Sequence, residues 1–201
     1  TRKESSAASD VYKRQQQPGP SERFAGRSGP LRLLVVGGSL GARALNEIVP
    51  QAIALMPADQ RPTVVHQSGA AQIDALRANY AAAGVEAELT PFIDDTASAF
   101  AAADIIVCRA GASTVTEIAA VGAASIFVPF PSAVDDHQTT NAQFLVNAGG
   151  GWLVQQRDLT PQGLSEMLLK LERPTLVDVA LKVKNMQKIN ATREVVTACE
   201  E

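Results

Sequence analysis

The stretch that decides the fold is LLVVGGSLGAR at residues 33–43. It opens with four consecutive aliphatic residues, and an uninterrupted apolar run is typical of a strand that is buried on both faces. Gly37, Gly38 and Gly41 separate this run from a stretch with a helical pattern. Glycines between a strand and a helix let backbone amides approach a phosphate, whose charge the positive end of the helix dipole favours. The stretch therefore predicts a phosphate site between a strand and a helix, although such a turn can also be a packing device.

Strand-like and helical stretches continue to alternate after this turn. The predicted strands are residues 31–37, 63–67, 86–90, 105–108, 125–128 and 152–154. The predicted helices are residues 42–55, 70–83, 96–102, 114–121 and 137–148, with an expected kink at Pro50. Because doubly buried strands need helices on both faces and crossovers are right-handed, this order predicts an α/β fold with a Rossmann-like, doubly wound parallel sheet. Further helices are expected after Thr160, where they would cap the sheet or pack on another domain.

The first 30 residues differ in composition from the rest of the chain. They are polar and rich in Ser, Gln, Gly and Pro, without helical or strand periodicity, which is typical of disorder. We therefore predict a disordered or foreign leader at residues 1–30 and one domain with C-terminal helices at residues 31–201. A chain of 201 residues, of which 46% are hydrophobic, is long enough for one α/β core.

Charge and composition argue against several classes of partner. The net charge of −3 gives no electrostatic reason to bind nucleic acid or an anionic membrane surface. No apolar stretch approaches the ~20 residues that span a bilayer, so we expect no direct membrane insertion by this domain. Cys108 and Cys199 are far apart and lack the spacing of a metal site, which favours a reducing compartment.

A second loop with small residues, RAGASTVTE at residues 109–117, follows the fourth predicted strand. Small residues at the start of a helix again expose backbone amides to an anion. Glu117 lies one turn into this helix, where its carboxylate could hold the two hydroxyls of a ribose. The spacing of Thr114 and Glu117 is also that of a capping box, in which the glutamate bonds a backbone amide. Spacing alone leaves the two interpretations open.

A third loop, FPSAVDDHQTTNA at residues 130–142, is polar and follows the fifth predicted strand. His137 and Gln138 at a helix start could donate hydrogen bonds to sugar hydroxyls or to a phosphate. Alternatively, Asp135 or Asp136 caps the helix and His137 is a solvated residue of its first turn. Because loops at the carboxyl ends of parallel strands share one rim of the sheet, the three loops together predict a site for a nucleotide diphosphate with a further group attached.

Other polar residues give weaker signals. In an NAD site, an acidic residue at the end of the second strand holds the ribose, but that strand ends in HQSG at residues 66–69. The adjacent carboxylates at residues 94–95 and 135–136 are typical of helix caps, and no third ligand for a metal accompanies them. His66 is interpreted as structural or as a contact at the ligand edge rather than as a base. We therefore expect neither a metal nor a cofactor.

Five motifs in this order resemble the C-terminal domain of the MurG family. They lie at residues 33–43, 66–69, 91–95, 107–117 and 135–142. The family comprises bacterial transferases that add N-acetylglucosamine from UDP-GlcNAc to undecaprenyl-pyrophosphoryl-MurNAc-pentapeptide, which converts lipid I to lipid II in peptidoglycan synthesis. The resemblance implies a GT-B fold, in which two Rossmann-like domains face each other across a cleft. This chain would be the second, donor-binding half.

The resemblance also implies roles for individual residues in UDP-GlcNAc binding. Ser39 would contact the diphosphate, and the backbone of Ile93 would read the uracil edge. Glu117 would hold the ribose hydroxyls. The GlcNAc hydroxyls would bind Gln138, with His137 beside it. The nucleotide would be lined by the start of one helix, which comprises Gly111, Ala112, Ser113, Thr114, Val115 and Thr116.

The implied reaction inverts the anomeric centre, because the acceptor 4-hydroxyl displaces UDP directly without a metal. The family's acceptor loops, proposed histidine base and hydrophobic membrane contact lie in an N-terminal domain. We therefore expect no catalytic residue in this chain, and a lipid-linked acceptor that binds through the missing N-terminal domain. The full-length enzyme would be peripheral on the cytoplasmic face of the bacterial inner membrane. The alternatives are the UDP-sugar-binding subunit of a split glycosyltransferase and a non-catalytic nucleotide-sugar-binding module.

Overall fold

The computed structural model describes residues 16–38, 42–131 and 136–187. The strands are β1 (Arg32–Val36), β2 (Thr63–Gln67), β3 (Glu88–Thr90), β4 (Ile105–Cys108), β5 (Ser125–Phe127) and β6 (Gly151–Leu153). The helices are α1 (Pro20–Phe24), α2 (Arg43–Leu55), α3 (Ile73–Ala83), α4 (Thr96–Ala102), α5 (Ala112–Val121), α6 (His137–Val146), α7 (Pro161–Leu169) and α8 (Arg173–Asn185). Short 3₁₀ turns lie at Ala58–Gln60, Ala70–Gln72 and Gln156–Asp158.

The described strands form one parallel six-stranded sheet in the order β3-β2-β1-β4-β5-β6. The chain moves outward from β1 to β3, returns to β4 on the other side of β1, and moves outward again to β6. This order confirms the predicted Rossmann-like, doubly wound sheet. Because the loops after β1 and β4 leave adjacent strands in opposite directions, they leave a crevice of the kind in which open α/β sheets bind ligands.

The core lies on both faces of the central strands. Leu33, Val35 and all four residues of β4 are at most 1% exposed, as the aliphatic runs predict. Helix α2 packs against α3 and α7, whereas α5 packs against α4, α6 and α8. The helices thus form two separate groups, as a parallel sheet that is covered on both faces requires.

Side-chain caps explain where two of the helices begin. Asp95 accepts a hydrogen bond from the Ser98 amide at 3.0 Å at the start of α4. Thr160 accepts one from the Gly163 amide at 3.0 Å at the start of α7. Each cap satisfies an amide that has no partner within the helix. The structure therefore supports the interpretation of Asp95 as a helix cap.

Helix α1 contradicts the prediction that residues 1–30 are disordered. Phe24 is 8% exposed, and Arg23 donates from Nη1 to the Val121 carbonyl at 3.1 Å and from Nη2 to the Gly122 carbonyl. The prediction is therefore wrong for residues 20–24. A five-residue helix is too short to show a periodic pattern, and distant contacts that local sequence cannot reveal hold it in place. Residues 1–15 lie outside the described residues.

Smaller differences concern the ends of elements. Helix α5 begins two residues earlier than expected, β3 begins two residues later, and α6 ends two residues earlier. Pro50 lies inside α2, which continues to Leu55. Helices α7 and α8 confirm the helices that are expected after Thr160, and residues 188–201 lie outside the described part of the chain. In the described ranges, no helix is long and apolar enough to cross a membrane.

Candidate functional site

Two loops at the carboxyl rim of the sheet are tied together by the start of α6. The side-chain oxygen of Gln138 accepts hydrogen bonds from the amides of Ala110, at 3.2 Å, and Phe130, at 3.0 Å. Ala110 follows β4 and Phe130 follows β5, so a single side chain sets the spacing between the two loops. Asn141 adds a hydrogen bond from Nδ2 to the Ala110 carbonyl at 3.1 Å. The second and third predicted loops are therefore neighbours at one rim.

Arg109 strengthens this connection from the end of β4. Its Nη1 donates to the carbonyls of Val128 and Pro129, each at 3.1 Å, and its Nη2 donates to the Gln156 side chain at 2.6 Å. The guanidinium also lies over the ring of Phe130, 5.5 Å from the centroid. Burial lowers the pKa of Arg109 below its usual value. The rim thus contains a partly buried cation that bonds the loop after β5.

The amino end of α5 lies at the same rim. Gly111 precedes the helix in an extended conformation, with φ −62° and ψ 149°, and no side chain caps the helix there. Ala112 and Ser113 are exposed, so amides of the first turn are accessible to an anion. Thr114 is the third residue of the helix and cannot be its N-cap. The capping-box interpretation of Thr114 and Glu117 is therefore wrong.

The other predicted residues of α5 present different groups. Val115 is 6% exposed, so it offers a ligand its backbone rather than its side chain. The hydroxyl of Thr116 donates to the Ala112 carbonyl at 2.9 Å. Glu117 is half-buried, one turn from the open end of the helix. Glu117 therefore lies within the same helix as the exposed residues Ala112 and Ser113.

Gln67 joins the first glycine turn to the loop after β3. Its side-chain oxygen accepts from the Gly38 amide at 3.1 Å, and its Nε2 donates to the carbonyls of Gly38, at 3.1 Å, and Pro91, at 3.0 Å. Ile93, the residue predicted to read the uracil edge, follows Pro91 by two positions and is half-buried. The loop of Ile93 is thus connected to the first predicted loop.

A cleft of about 470 Å³ opens between the start of α2 and the loops after β4 and β5. Its lining comprises Ala42, Arg43, Ala44, Glu47, Gln72, Arg109, Phe130 and Gln156. Two arginines in this lining favour an anionic ligand, although one of them, Arg43, pairs with Glu47 at 2.6 Å. The cleft lies at the crevice where the strand order reverses, which makes it the candidate site.

A larger groove of about 620 Å³ lies elsewhere, along β1, β2 and β3 beside α4. Its lining is mainly aliphatic and includes Arg32 and Thr63, which begin β1 and β2. None of the predicted site residues lines either cavity directly. We place the functional site in the smaller cleft because Arg109 and Phe130, which line it, belong to the two rim loops that Gln138 and Arg109 join.

The remaining residues of the predicted site belong to the first glycine turn and the third loop. Ser39 and Asp135 lie outside the described residues. His137 opens α6 and is exposed. Asp136 precedes it with a left-handed backbone, φ 50°, and its carboxylate accepts from the Thr139 hydroxyl at 2.7 Å rather than from a helix amide. The structure therefore does not support the interpretation of Asp136 as a side-chain cap.

Neither Arg109 nor Gln67 has an individual role in the sequence-based predictions. Both stand at the carboxyl end of a buried strand, which is the sequence signal that could have identified them. Their roles depend on carbonyl groups far along the chain, such as Val128 and Pro91. No local pattern indicates such partners.

His66 is part of a buried polar network rather than of the rim. Its Nδ1 lies 3.0 Å from the Tyr80 hydroxyl, and its Nε2 lies 3.0 Å from the side-chain oxygen of Asn46. The side-chain Nδ2 of Asn46 in turn donates to the side-chain oxygen of Gln72 at 2.8 Å. Burial lowers the pKa of His66 to about 3. The structure thus supports a structural role, in which neutral His66 accepts from Tyr80 and donates to Asn46.

We expect this neutral histidine to make stability depend on pH. The unfolded imidazole binds a proton near pH 6.5, and the folded one only near pH 3, so stability is highest above pH 6.5 and falls as the pH decreases. The expected loss between pH 7 and pH 5 is about 2 kcal/mol, measured by urea unfolding. His66→Gln should flatten this dependence, whereas His137→Gln should preserve it. A wild-type stability that is constant over this range would contradict the prediction.

Cysteine and acidic residues suggest no further chemistry at the rim. Cys108 is completely buried in β4, and burial raises the pKa of its thiol, which fits a small hydrophobic residue of the core. Within the described ranges, no three His, Cys, Asp or Glu residues lie together as a possible metal site. The contacts that shape the rim are instead amides, carbonyls and the guanidinium of Arg109.

Sequence comparisons show the family of this chain. Residues 32–197 match the Glycosyltransferase family 28 C-terminal domain. The chain is 76% identical over 185 residues to the UDP-N-acetylglucosamine--N-acetylmuramyl-(pentapeptide) pyrophosphoryl-undecaprenol N-acetylglucosamine transferase of Paracidovorax citrulli, covering 92% of this chain and 52% of that protein. It is 60% identical over 182 residues to the transferase of the same name from Cupriavidus necator, covering 90% of this chain and 51% of that protein. The chain thus spans about half the length of the curated relatives that it matches.

Solved structures give the same result. The crystal structure of Acinetobacter baumannii MurG matches with a TM-score of 0.84 and 41% identity, covering 92% of this chain and 54% of that one. The glycosyltransferase VinC, in complex with dTDP, matches with a TM-score of 0.59 and 21% identity, covering 91% and 45%, which shows a shared fold only. These matches confirm the resemblance to the C-terminal domain of the MurG family. Because the 185-residue match to the Paracidovorax protein is longer than residues 31–201, it includes part of residues 1–30, and the interpretation of these as a wholly foreign leader is wrong.

Proposed function

This chain belongs to the glycosyltransferase family 28 C-terminal domain family, and on that premise we propose that it binds UDP-GlcNAc as the donor-binding part of an inverting N-acetylglucosaminyltransferase. The proposed acceptor is undecaprenyl-pyrophosphoryl-MurNAc-pentapeptide, and the product is the lipid II of peptidoglycan synthesis. The observation that carries the proposal is the joined pair of loops after β4 and β5. It brings the open amides of α5 and the side chain of Gln138 to one rim.

The diphosphate would bind at the amino end of α5. A helix amino terminus carries roughly half a positive charge, and the uncapped amides after Gly111 supply hydrogen-bond donors. Ser39 in the first glycine turn would also contact the diphosphate, as the resemblance implies. Arg109 would add positive charge from the end of β4. Each group favours an anion, which supports a diphosphate rather than a neutral ligand.

The nucleoside would bind along α5 and the loop after β3. Residues Gly111, Ala112, Ser113, Thr114, Val115 and Thr116 would line it, mainly through their backbone. Glu117 would accept hydrogen bonds from the two ribose hydroxyls. The backbone of Ile93 would bond the uracil edge, which suits a loop that Gln67 holds beside the first glycine turn.

The sugar would bind at the start of α6. The side-chain oxygen of Gln138 already accepts hydrogen bonds from the backbone amides of Ala110 and Phe130, so the orientation of this side chain is fixed. Its Nε2 has no partner among the described residues, and its two hydrogens would bond GlcNAc hydroxyls. His137 is exposed beside it and would provide a further contact.

The proposed reaction needs no covalent intermediate with this chain. The oxygen of the acceptor 4-hydroxyl bonds to C1 of GlcNAc while the bond from C1 to the β-phosphate oxygen breaks. The electron pair leaves with UDP, where the α5 amides stabilise its charge, and such donors contribute several kcal/mol in enzymes. The hydroxyl proton passes to a base outside this chain. Transfer would therefore require a second domain that holds the acceptor, and the complete enzyme would work on the cytoplasmic face of the bacterial inner membrane.

Ligand binding by the full chain tests the proposal. We expect calorimetry to detect UDP-GlcNAc and UDP but not NAD. Glu117→Ala should weaken binding of UDP by about 1 to 3 kcal/mol, because the ribose hydroxyls lose their acceptor. Glu166→Ala is the matched control, since Glu166 is exposed on α7 and should leave the affinity unchanged. Equal affinity for UDP and NAD, or equal effects of the two substitutions, would count against the proposed site.

The proposed donor site is also compatible with a second candidate. A UDP-sugar-binding subunit of a split transferase, or a non-catalytic module, would have the same donor site. The two differ in what happens when the remaining half of the Paracidovorax relative is added together with lipid I. Transfer of GlcNAc would favour a subunit, and donor binding without transfer would favour a module.

A further inference from the structure

The end of β2 places one side chain between two separate parts of the proposed site. Gln67 is the last residue of β2, which lies between β1 and β3 in the sheet. The first turn, Gly37–Gly38, leaves β1, and the β3 loop, residues 91–95, leaves β3. We infer that Gln67 is a positioning residue that couples these two segments, so that a nucleoside diphosphate binds both at once. This inference rests on the proposed function.

The main-chain hydrogen bonds that β2 makes with β1 and β3 end where the side-chain hydrogen bonds of Gln67 begin. The Gly37 amide donates to the Gln67 carbonyl at 3.1 Å, and the Ser68 amide donates to the Thr90 carbonyl at 3.1 Å. Beyond these bonds the first turn and the β3 loop leave the sheet, and Gly38 has a left-handed φ of 83°. The main chain of β2 therefore no longer connects them. The side chain of Gln67 continues the connection by one residue on each side.

An amide is the group that these partners require. Gln67 is paired with Gly38 in both directions, as acceptor from the amide and donor to the carbonyl, and its second Nε2 hydrogen goes to the Pro91 carbonyl. The residue is 5% exposed, so water does not readily replace these bonds. Glutamate has no donor for the two carbonyls when ionised, and leucine has neither donor nor acceptor. Both substitutions would leave buried backbone groups without partners.

If Gln67 couples the first turn to the β3 loop, its loss should affect ligands of different lengths unequally, which a merely structural role would not do. In the proposed site, the first turn contributes to diphosphate binding and the β3 loop to uracil binding. Loss of Gln67 should let the two segments move independently, while each can still bind its own part of the ligand. The loss should therefore be larger for a ligand that spans both segments than for either fragment alone.

The experiment compares UDP, uridine and inorganic pyrophosphate by NMR titration of the full chain. For Gln67→Leu and Gln67→Glu, we expect UDP affinity to fall about tenfold, and the affinities for the fragments to change much less. Val64→Ala is the control, because Val64 is a 5% exposed residue of the same strand and lies near the opposite end of β2 from Gln67. It should lower stability but preserve all three affinities.

Amide hydrogen exchange of the wild-type chain provides a measurement that needs no variant to fold. Uridine should slow exchange at Gly38, although it contains no phosphate, because Gln67 transmits the ordering of the β3 loop. Unchanged exchange at Gly38, or fragment affinities that fall as much as that for UDP, would overturn the inference while wild-type UDP binding still supports the proposed function. Failure of the wild-type chain to bind UDP would instead overturn the proposed function, and the inference with it.

Discussion

Asp104→Ala is expected to destabilise the fold by about 3 to 5 kcal/mol, the usual cost of removing one partner from a buried ion pair. The carboxylate is completely buried and lies between two arginines. Oδ1 is 2.6 Å from Arg27 Nη1, and Oδ2 is 3.0 Å from Arg173 Nη2. Oδ2 also accepts from the Arg32 amide at 3.0 Å. Alanine would leave two largely buried cations and one backbone donor without this partner.

The loss would be large for a single domain, whose total stability is typically about 5 to 15 kcal/mol. Asp104 joins three parts of the chain, because Arg27 follows α1, Arg32 begins β1 and Arg173 begins α8. Urea unfolding followed by circular dichroism measures the effect. Asp74→Ala is the matched control. Its ion pair with Arg77 is exposed, so we expect a loss below about 1 kcal/mol. A similar small loss for Asp104→Ala would show that the buried carboxylate does not organise these segments.

Gly151→Ala is expected to cost about 3 kcal/mol or more, from backbone strain and displacement of a strand. Gly151 has a φ of 147°, which a residue with a side chain rarely adopts. An added Cβ would lie 2.3 Å from the Ser125 carbonyl oxygen, which is far shorter than a carbon–oxygen van der Waals contact. Because Ser125 pairs with Gly151 between β5 and β6, the variant would have to separate these strands.

This substitution should also affect the rim. The chain after β6 carries Gln156, which accepts from Arg109 at 2.6 Å, so displacement of β6 would disturb the loop after β5. We expect weaker UDP binding together with a lower urea midpoint. Gly19→Ala is the control, since Gly19 has a φ of −62° and no atom within 4 Å of an added Cβ. It should change stability by less than about 1 kcal/mol. Equal midpoints for the two variants would refute the role of Gly151.

The sequence predicts the architecture well because one physical requirement acts on every strand. A strand that is buried on both faces needs a continuous aliphatic run, as in residues 33–36 and 105–107, and each run is followed by a turn and a helix. Once the strands are in order, right-handed crossovers fix the face of the sheet on which each helix lies. Helix α1 shows no such pattern in the sequence. It is held by hydrogen bonds from Arg23 to carbonyls at the carboxyl end of α5 and by the burial of Phe24.

For the candidate site, local sequence predicts which loops meet but not how they are held. Thr114 and Glu117 have the spacing of a capping box, yet α5 begins at Ala112, two residues before Thr114. The helix start depends on how the loop leaves β4, which spacing does not specify. The buried environment of His66 likewise depends on Tyr80 and Asn46, which α3 and α2 bring to it.

By itself, the sequence determined the alternation of strands and helices, the parallel sheet and the rim at which the glycine-containing loops lie, because burial and backbone conformation impose patterns that recur every few residues. Only the tertiary structure decided that Gln67 joins Gly38 to Pro91 and that Gln138 joins Ala110 to Phe130. The reason is the nature of these partners. A side-chain amide bonds to backbone groups, and every residue other than proline offers the same backbone donor and acceptor, so the identity of the partner leaves no mark in the sequence.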